Sequence, residues 1–405
     1  ILFFVLYISL LTGFYFNENL NFGSYNDWVG TNYPAIKGFA FDFKNSILNY
    51  DDFGHRHSPV YLIFLSLFYK AGLSPDLVRF IHLHFTLLLI YYFFVCIKFK
   101  FQEINKNYLF ILSFVIFLSP TFRSLAIWPD SRIIGLIFFT ISIYQFLQFQ
   151  KKEKIKKFWS CLIFLILSSY ISPNFSLLII FYYLYFLNKI NLLNLLSSLF
   201  FCAICSFPAI YYLFILDINF LISNTPAAAA GATALDFNLS NKIMIISTII
   251  FFHLIPLTLI KKFYREIFTF AKNNFVILVL FFLINLYFFD YKIAFTGGGF
   301  FFQLSNIAFE NNILFMIFSF LSICIIFYFG KKDINNLIFF LLLILSNIQN
   351  TIYHKYYDPL ILIIFFTLLN SNIPKEILKK KYSLDYLYIF YLIYICLRLI
   401  KNNYA

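Results

Sequence analysis

The residues with the means to do chemistry in this chain are few, and they fall in four stretches. Asp27 stands alone in the first polar segment, NFGSYNDWVG. Asp51-Asp52-Phe53-Gly54-His55-Arg56-His57-Ser58-Pro59 then packs acid, base and cation together. Between Ser119-Pro120 and Arg132, a single carboxylate, Asp130, is flanked by Arg123 and Arg132. Tyr353-His354-Lys355-Tyr356-Tyr357-Asp358-Pro359 completes the set. Carboxylates among Arg, Lys and His suit one kind of reaction, in which a carboxylate deprotonates an acceptor while cations hold a phosphate leaving group. Asp27 and Asp130 are the candidate catalytic acids. Asp51, Asp52, Arg56, His57, Arg79, Arg123, Lys355 and Tyr356 are the candidate substrate-binding groups.

Other conspicuous residues have plainer explanations. His82 and His84 are two apart, so they do not share one helix face, and a metal site there is not expected. With Arg79 they open an apolar run, where such side chains reach back to the interface. Cys202 and Cys205 form a C-x-x-C inside LFFCAICSF, but a reactive thiolate pair needs polar, partly wet surroundings. The six cysteines imply no disulfide framework. The Gly297-Gly298-Gly299 triplet reads as a turn or hinge in a mobile loop, and the Ala-rich residues 227–234 as a flexible connector.

The elements that must position these groups are membrane spans. Of 405 residues, 61% are apolar and only 12% charged, and the mean hydropathy is +0.81. A soluble domain is roughly half apolar and about a quarter charged. The abundance of Phe (61 residues) reads as AT-rich codon bias, so an aromatic stripe is weak evidence for a ligand. A net charge of +13 would suit nucleic acid or anionic lipid. The basic residues sit in short loops between apolar runs, the positive-inside pattern, which favours the bilayer as partner and excludes nucleic acid. The chain opens at Ile1 within an apolar run; the expectation is a first span, of a truncated N-terminus, rather than a signal peptide.

Apolar runs lie near 1–16, 59–71, 78–97, 107–120, 132–149, 158–170, 173–188, 190–216, 242–260, 275–289, 312–329, 334–348, 359–370 and 383–399. If 59–71 does not cross, the loops 98–106, 150–157, 189, 261–274, 330–333 and 371–382 share one face and hold 19 of the 31 Lys and Arg. If it does cross, the bias reverses. YLIFLSLFY is also short for roughly 30 Å of hydrocarbon. The expectation is therefore an all-α polytopic membrane protein with about 13 spans. It forms a single transmembrane domain over 1–405, with its N-terminus inside and a long first outer loop, 17–77, carrying interfacial helices. Residues 33–48 have the mixed pattern of one such helix.

The order of these features resembles the membrane glycosyltransferases of the GT-C fold, in particular the family 39 protein O-mannosyltransferase and aminoarabinose-transferase-like group. Those begin with a span and a long outer loop with an early acid, as at Asp27. An interfacial P-P-L-Y-x-x-L type stretch is matched by His57-Ser58-Pro59-Val60-Tyr61-Leu62-Ile63, and an Arg at the next span by Asp76-Leu77-Val78-Arg79-Phe80. Ser119-Pro120 to Asp130, Ile171-Ser172-Pro173-Asn174 and His354-Lys355-Tyr356-Tyr357-Asp358-Pro359 match later elements. The resemblance implies transfer of a sugar from a polyprenyl-phosphate carrier to an acceptor on the outer face of a bacterial inner membrane. Asp27 would be the general base, Asp130 a second acid shaping the site, and Arg56, His57 and Lys355 the phosphate ligands. The family often has Asp-Glu where this chain has Asp27-Trp28, and its Arg near the second acid is displaced here to Arg123 or Arg132. Asp51 or Asp52 stands as an alternative base. Some members use a divalent metal ion, which one carboxylate per loop leaves open. A polymerase or ligase of surface polysaccharide would share the carrier. A transporter or lipid flippase is the alternative from another class, against which stand the lack of an internal repeat and the scarcity of charge inside the spans. A structural membrane protein would leave the acid- and base-rich first loop unexplained.

Overall fold

The computed structural model describes residues 1–21, 23–54, 57–218, 235–259, 261–292, 297–380 and 382–404. Arg56 and the Ala-rich residues 227–234 lie outside them. Among the described residues the secondary structure is helical, with one antiparallel bridge between Leu235 and Gln349 and no strand. Among the described residues, six helices are long and apolar enough to cross a membrane, or up to eight if two sharply bent pairs each count as one span. The chain is thus an all-α protein with the helices of a multi-pass membrane protein. It divides into two compact units, residues 1–225 with 391–405, and residues 226–390.

In the first unit the helices start and stop where the sequence provides caps. Ser74 Oγ accepts from Leu77 N–H at 3.3 Å to open Pro75–Lys100, which has Asp76 in its first turn and Lys98 and Lys100 in its last, matching the helix dipole. At 26 residues it is roughly 39 Å long. Asp130 caps Ser131–Lys152, a helix of 22 residues. That helix packs tightly on Ile155–Ile171 because Gly135 leaves no side chain between them. Ser168 Oγ donates to Gly135 O at 2.8 Å, and a Cβ at Gly135 would meet Ser172 Cβ at 2.7 Å.

Val60–Lys70 is only 11 residues, roughly 16 Å against a hydrocarbon core of about 30 Å. Just past its end, Gly72 has a φ of +90°, which suits a residue without a side chain. The rest of the first loop is helical in short pieces, Gly23–Asp27, Trp28–Asn32, Tyr33–Phe41 and Phe43–Leu48. Lys106–Leu118 turns by 69° into Pro120–Ile127. The break falls at Ser119, which precedes a proline, is extended (φ −70°, ψ 119°), and caps the second helix through Phe122 N–H at 2.9 Å.

Two sets of loops collect at opposite ends of the first unit. At one, Lys151 donates to Gln102 at 2.9 Å and Lys189 pairs with Glu153 at 2.9 Å. At the other, Glu18 meets Arg123, Tyr212 donates to Ile47 O, and Asn402 donates to Asn19 O. The second unit is sorted in the same way. Lys332 pairs with Glu266 at one end, where Asn370 also meets Asp333 and Asn336. At its other end Asn238 and Asn241 hold Asp290 at 2.8 and 2.7 Å. Within each unit, the loops that charge counting assigned to one face do meet at one end.

The glycine triplet forms a turn. Gly297, Gly298 and Gly299 all have positive φ (117°, 82° and 74°), and Gly298 N–H donates to Ile352 O at 3.0 Å. A Cβ at Gly297 would lie 2.7 Å from Thr351 Cγ2, so the turn packs closely on the segment around Thr351.

Candidate functional site

The sequence presents 119–132 as a solvated outer loop, but the structure buries it. Every residue of Pro120–Ile127 is buried, as are Trp128, Asp130, Ser131 and Arg132. The first loop supplies part of the enclosure. Asn32 Nδ2 donates to Pro129 O at 2.7 Å, Trp128 Nε1 donates to Glu18 O at 2.9 Å, and Asn21 N–H donates to Ser124 Oγ at 3.0 Å.

Three arginines that might have met a phosphate are held by the chain itself. Arg123 makes a bidentate pair with Glu18 (Nε to Oε1 2.6 Å, Nη2 to Oε2 2.7 Å) and also donates to Ser9 Oγ and Ser9 O. Arg132 makes a bidentate pair with Asp130, through Nη2 to Oδ2 at 2.6 Å and Nε to Oδ1 at 3.1 Å. Arg79 does not snorkel to the interface. It is buried, bonded to Asp76, Asn17 and Ile127 O, with its guanidinium 3.7 Å above the Trp128 ring. Such planar, forked donors suit buried pairs; Arg123 and Arg79 tie the first loop to the 119–132 segment, and Arg132 closes on Asp130 within it.

His82 is also a structural group rather than a snorkelling one. It is fully buried, and its Nε2 lies 2.7 Å from Leu125 O. A carbonyl only accepts, so Nε2 carries the proton and Nδ1 accepts from Tyr61 O–H at 2.5 Å. Tyr61 is buried on the short helix Val60–Lys70, and burial with the nearby Asp130 carboxylate pushes its phenol well above the usual tyrosine range. Asp130, Arg132, Tyr61 and His82 therefore form one buried polar cluster. His84 lies apart, with Tyr7 Oη 2.7 Å from its Nε2.

Asp27 differs from Asp130 in environment. It is half-exposed at the end of Gly23–Asp27, and its carbonyl accepts from Thr31 Oγ1 at 2.7 Å. Its neighbours on both sides dock on the buried segment. Tyr25 packs edge-on to Trp128 with ring centroids 4.9 Å apart, and Asn32 holds Pro129 O. Asp27 is thus fastened beside Trp128-Pro129-Asp130 while its side chain stays partly open. Asp51 is half-buried near Tyr50 and Tyr212, and Asp52 is exposed. His57 is half-buried, and its carbonyl accepts from Tyr50 Oη at 2.8 Å.

Lys355 and Tyr356 belong to the second unit, in the half-exposed turn His354–Tyr356, with Lys355 Nζ 5.3 Å from the Tyr353 ring centre. The buried groups beside them are His253, whose Nε2 is 3.0 Å from His354 Nε2, and Asp358, whose carboxylate acts on His253. The structure thus assembles the first-loop and 119–132 residues with one another, and groups Lys355 and Tyr356 with a histidine pair that the sequence did not single out. Tyr61, Glu18 and His253 were missed because each lies in or beside an apolar run; the Tyr61 position was visible only as part of the Pro59-Val60-Tyr61 motif. No group of three or more His, Cys, Asp and Glu among the described residues is placed to hold a metal ion. Both Asp130 oxygens face Arg132, so this donor set does not fit a divalent cation. No protein-family model matches the chain, and no curated protein or solved structure matches it either.

Proposed function

We propose that the chain is a membrane glycosyltransferase of the GT-C type with about 13 spans, Val60–Lys70 lying in the interface rather than crossing. It moves a sugar from a polyprenyl-phosphate carrier to an acceptor hydroxyl on the outer, periplasmic face of an inner membrane. The observation that carries this reading is the contrast between two neighbouring carboxylates. Asp130 is buried and neutralised by Arg132, while Asp27 is half-exposed and anchored through Tyr25 and Asn32 to the residues just before Asp130. A base must be reachable, and of the two only Asp27 is not buried. Asp27 takes the acceptor proton as the hydroxyl oxygen attacks the anomeric carbon. The bond from that carbon to the carrier phosphate breaks, and the phosphate leaves with the electron pair, inverting the centre. Asp130 acts as a positioning residue. Arg79, Arg123 and Arg132 are engaged by the chain's own groups; the phosphate-binding roles of Arg56, His57 and Lys355 rest on the resemblance alone. The divalent ion that some family members use has no place in this scheme.

The test is Asp27→Asn in the purified full chain, assayed with a polyprenyl-phosphate sugar. Transfer should fall at least about a hundredfold while insertion and thermal stability hold. Full activity would refute the assignment.

One observation favours the alternative, a transporter or lipid flippase: each unit contains one sharply broken apolar segment, bent by 69° at Ser119 and by 84° at Asn274. The two breaks differ in kind. The first is enclosed in protein, whereas the second joins a strongly amphipathic helix, Phe263–Asn273, to an apolar one. An amphipathic helix turning into a span is an interfacial element, not half of a paired substrate site. Uptake of solute into proteoliposomes without sugar transfer would reverse the ranking.

A further inference from the structure

The helix Lys261–Asn273 and the end of Ile313–Lys332 form a cleft of about 440 Å³ that the transfer reaction does not use. Its walls carry Arg265, Lys331 and Lys332, three cations, against one carboxylate, Glu266. Glu266 pairs with Lys332 at 3.2 Å and accepts from Tyr328. Lys331 lies 5.5 Å from the Phe270 ring centre. Pairing one lysine with Glu266 leaves two positive charges over an aromatic floor.

The depth of this cleft follows from the helix that makes it. Phe263–Asn273 meets the apolar helix Phe275–Tyr287 at 84°, so if the second crosses the bilayer the first lies nearly in the membrane plane. Phe263 and Phe270 are buried against the protein, while Phe268 is 72% exposed and Tyr264 47% exposed. Large aromatic side chains left outside an amphipathic helix, beside its basic residues, are what an interfacial anchor presents to acyl chains and headgroups. The cleft also sits at the lysine-rich end of its unit, the face that positive-inside bias turns toward the cytoplasmic leaflet.

We infer that Arg265 and Lys331 bind the phosphate of an anionic phospholipid headgroup from that leaflet, with Phe268 and Tyr264 in contact with its acyl region. Arg265 supplies a forked donor and Lys331 a point charge to the same phosphate, and Glu266 holds Lys332 at the rim. The site is independent of the reaction catalysed and holds equally for a transferase or a transporter.

The test is native mass spectrometry of the full chain in neutral detergent, titrated with phosphatidylglycerol or with phosphatidylcholine of the same acyl composition. Phosphatidylglycerol should be retained at least fivefold better. Arg265→Gln with Lys331→Gln should remove that preference, whereas the charge-conserving pair Arg265→Lys with Lys331→Arg should keep most of it. A control pair in the other basic loop, Lys154→Gln with Lys156→Gln, should leave it unchanged. Equal retention of the two lipids would overturn the inference, as would an unaltered preference in the Gln pair or loss in the charge-conserving pair. Displacement of phosphatidylglycerol by millimolar inorganic phosphate would also overturn it, by making the cleft a site for free phosphate.

Discussion

Replacing Asp130 by Asn separates the two carboxylates experimentally, because Asn keeps the shape and the helix cap while removing the charge. In the wild type the Asp130 and Arg132 side chains are 3% and 6% exposed and meet at 2.6 Å. At an effective dielectric of about 20, their attraction is roughly 6 kcal/mol, most of it offset by the cost of taking both ions out of water. Removing the carboxylate alone leaves that desolvation cost on Arg132 without its compensation. Asp130→Asn should therefore destabilise by about 3–5 kcal/mol, and Arg132→Met by a similar amount. The double variant should cost less than the sum by about 2 kcal/mol or more, since neither charge is then left alone. The assay is equilibrium unfolding in mixed micelles, followed by Trp fluorescence, for the four members of the cycle. Asp27→Asn belongs in the same series and should lie within about 0.5 kcal/mol of wild type, because its carboxylate is half-exposed. Single variants costing under about 1 kcal/mol, or strict additivity, would refute the picture of a buried pair. A large loss at Asp27 would undo the division of labour on which the proposed base rests.

The remaining expectations use other parts of the structure. Thiol labelling should reach Lys44→Cys and Ala71→Cys from one face of the membrane and Lys154→Cys only from the other; labels at 44 and 71 from opposite faces would make Val60–Lys70 a span. Arg79→Lys should destabilise by about 1–3 kcal/mol, read by the same unfolding assay, because a lysine cannot both stack on Trp128 and reach Asp76, Asn17 and Ile127 O. Gly297→Ala should cost about 1–3 kcal/mol, since it strains a φ of +117° and drives a methyl against Thr351. Burial and Asp130 raise the Tyr61 phenol in the folded chain, so above about pH 10 the unfolded chain sheds a proton that the folded chain keeps, and stability falls as pH rises. Tyr61→Phe removes that share. The stability gap between wild type and Tyr61→Phe should shrink by about 1 kcal/mol between pH 10 and 11.

The helical content and the alternation of loops were legible because the bilayer writes both into composition. Each apolar run from 1–16 to 383–399 contains a helix, and the loops grouped by lysine count meet at common ends within each unit. The roles of the arginines were not legible. Arg123 and Arg132 flank Asp130 symmetrically in sequence, yet Arg123 turns away to Glu18, a residue 105 positions earlier. Nothing local distinguishes the two, because the choice is made by which carboxylate the first loop brings near. His82 was misplaced for a related reason: polar residues at the start of a span reach water unless another element covers them, and here Val60–Lys70 does so through Tyr61.

That covering helix ties topology to chemistry. Val60–Lys70 lies against the part of the unit that holds Asp130, and its Tyr61 hydroxyl meets His82 there. His82 in turn holds Leu125 O, inside the bent helix that leads to Trp128, Pro129 and Asp130. The Asp27 helix grips Trp128 and Pro129 from the other side, through Tyr25 and Asn32. On the proposed topology, the segment that the lysine count keeps out of the spans is also the one whose Tyr61 supports, through His82, the backbone on which both carboxylates depend.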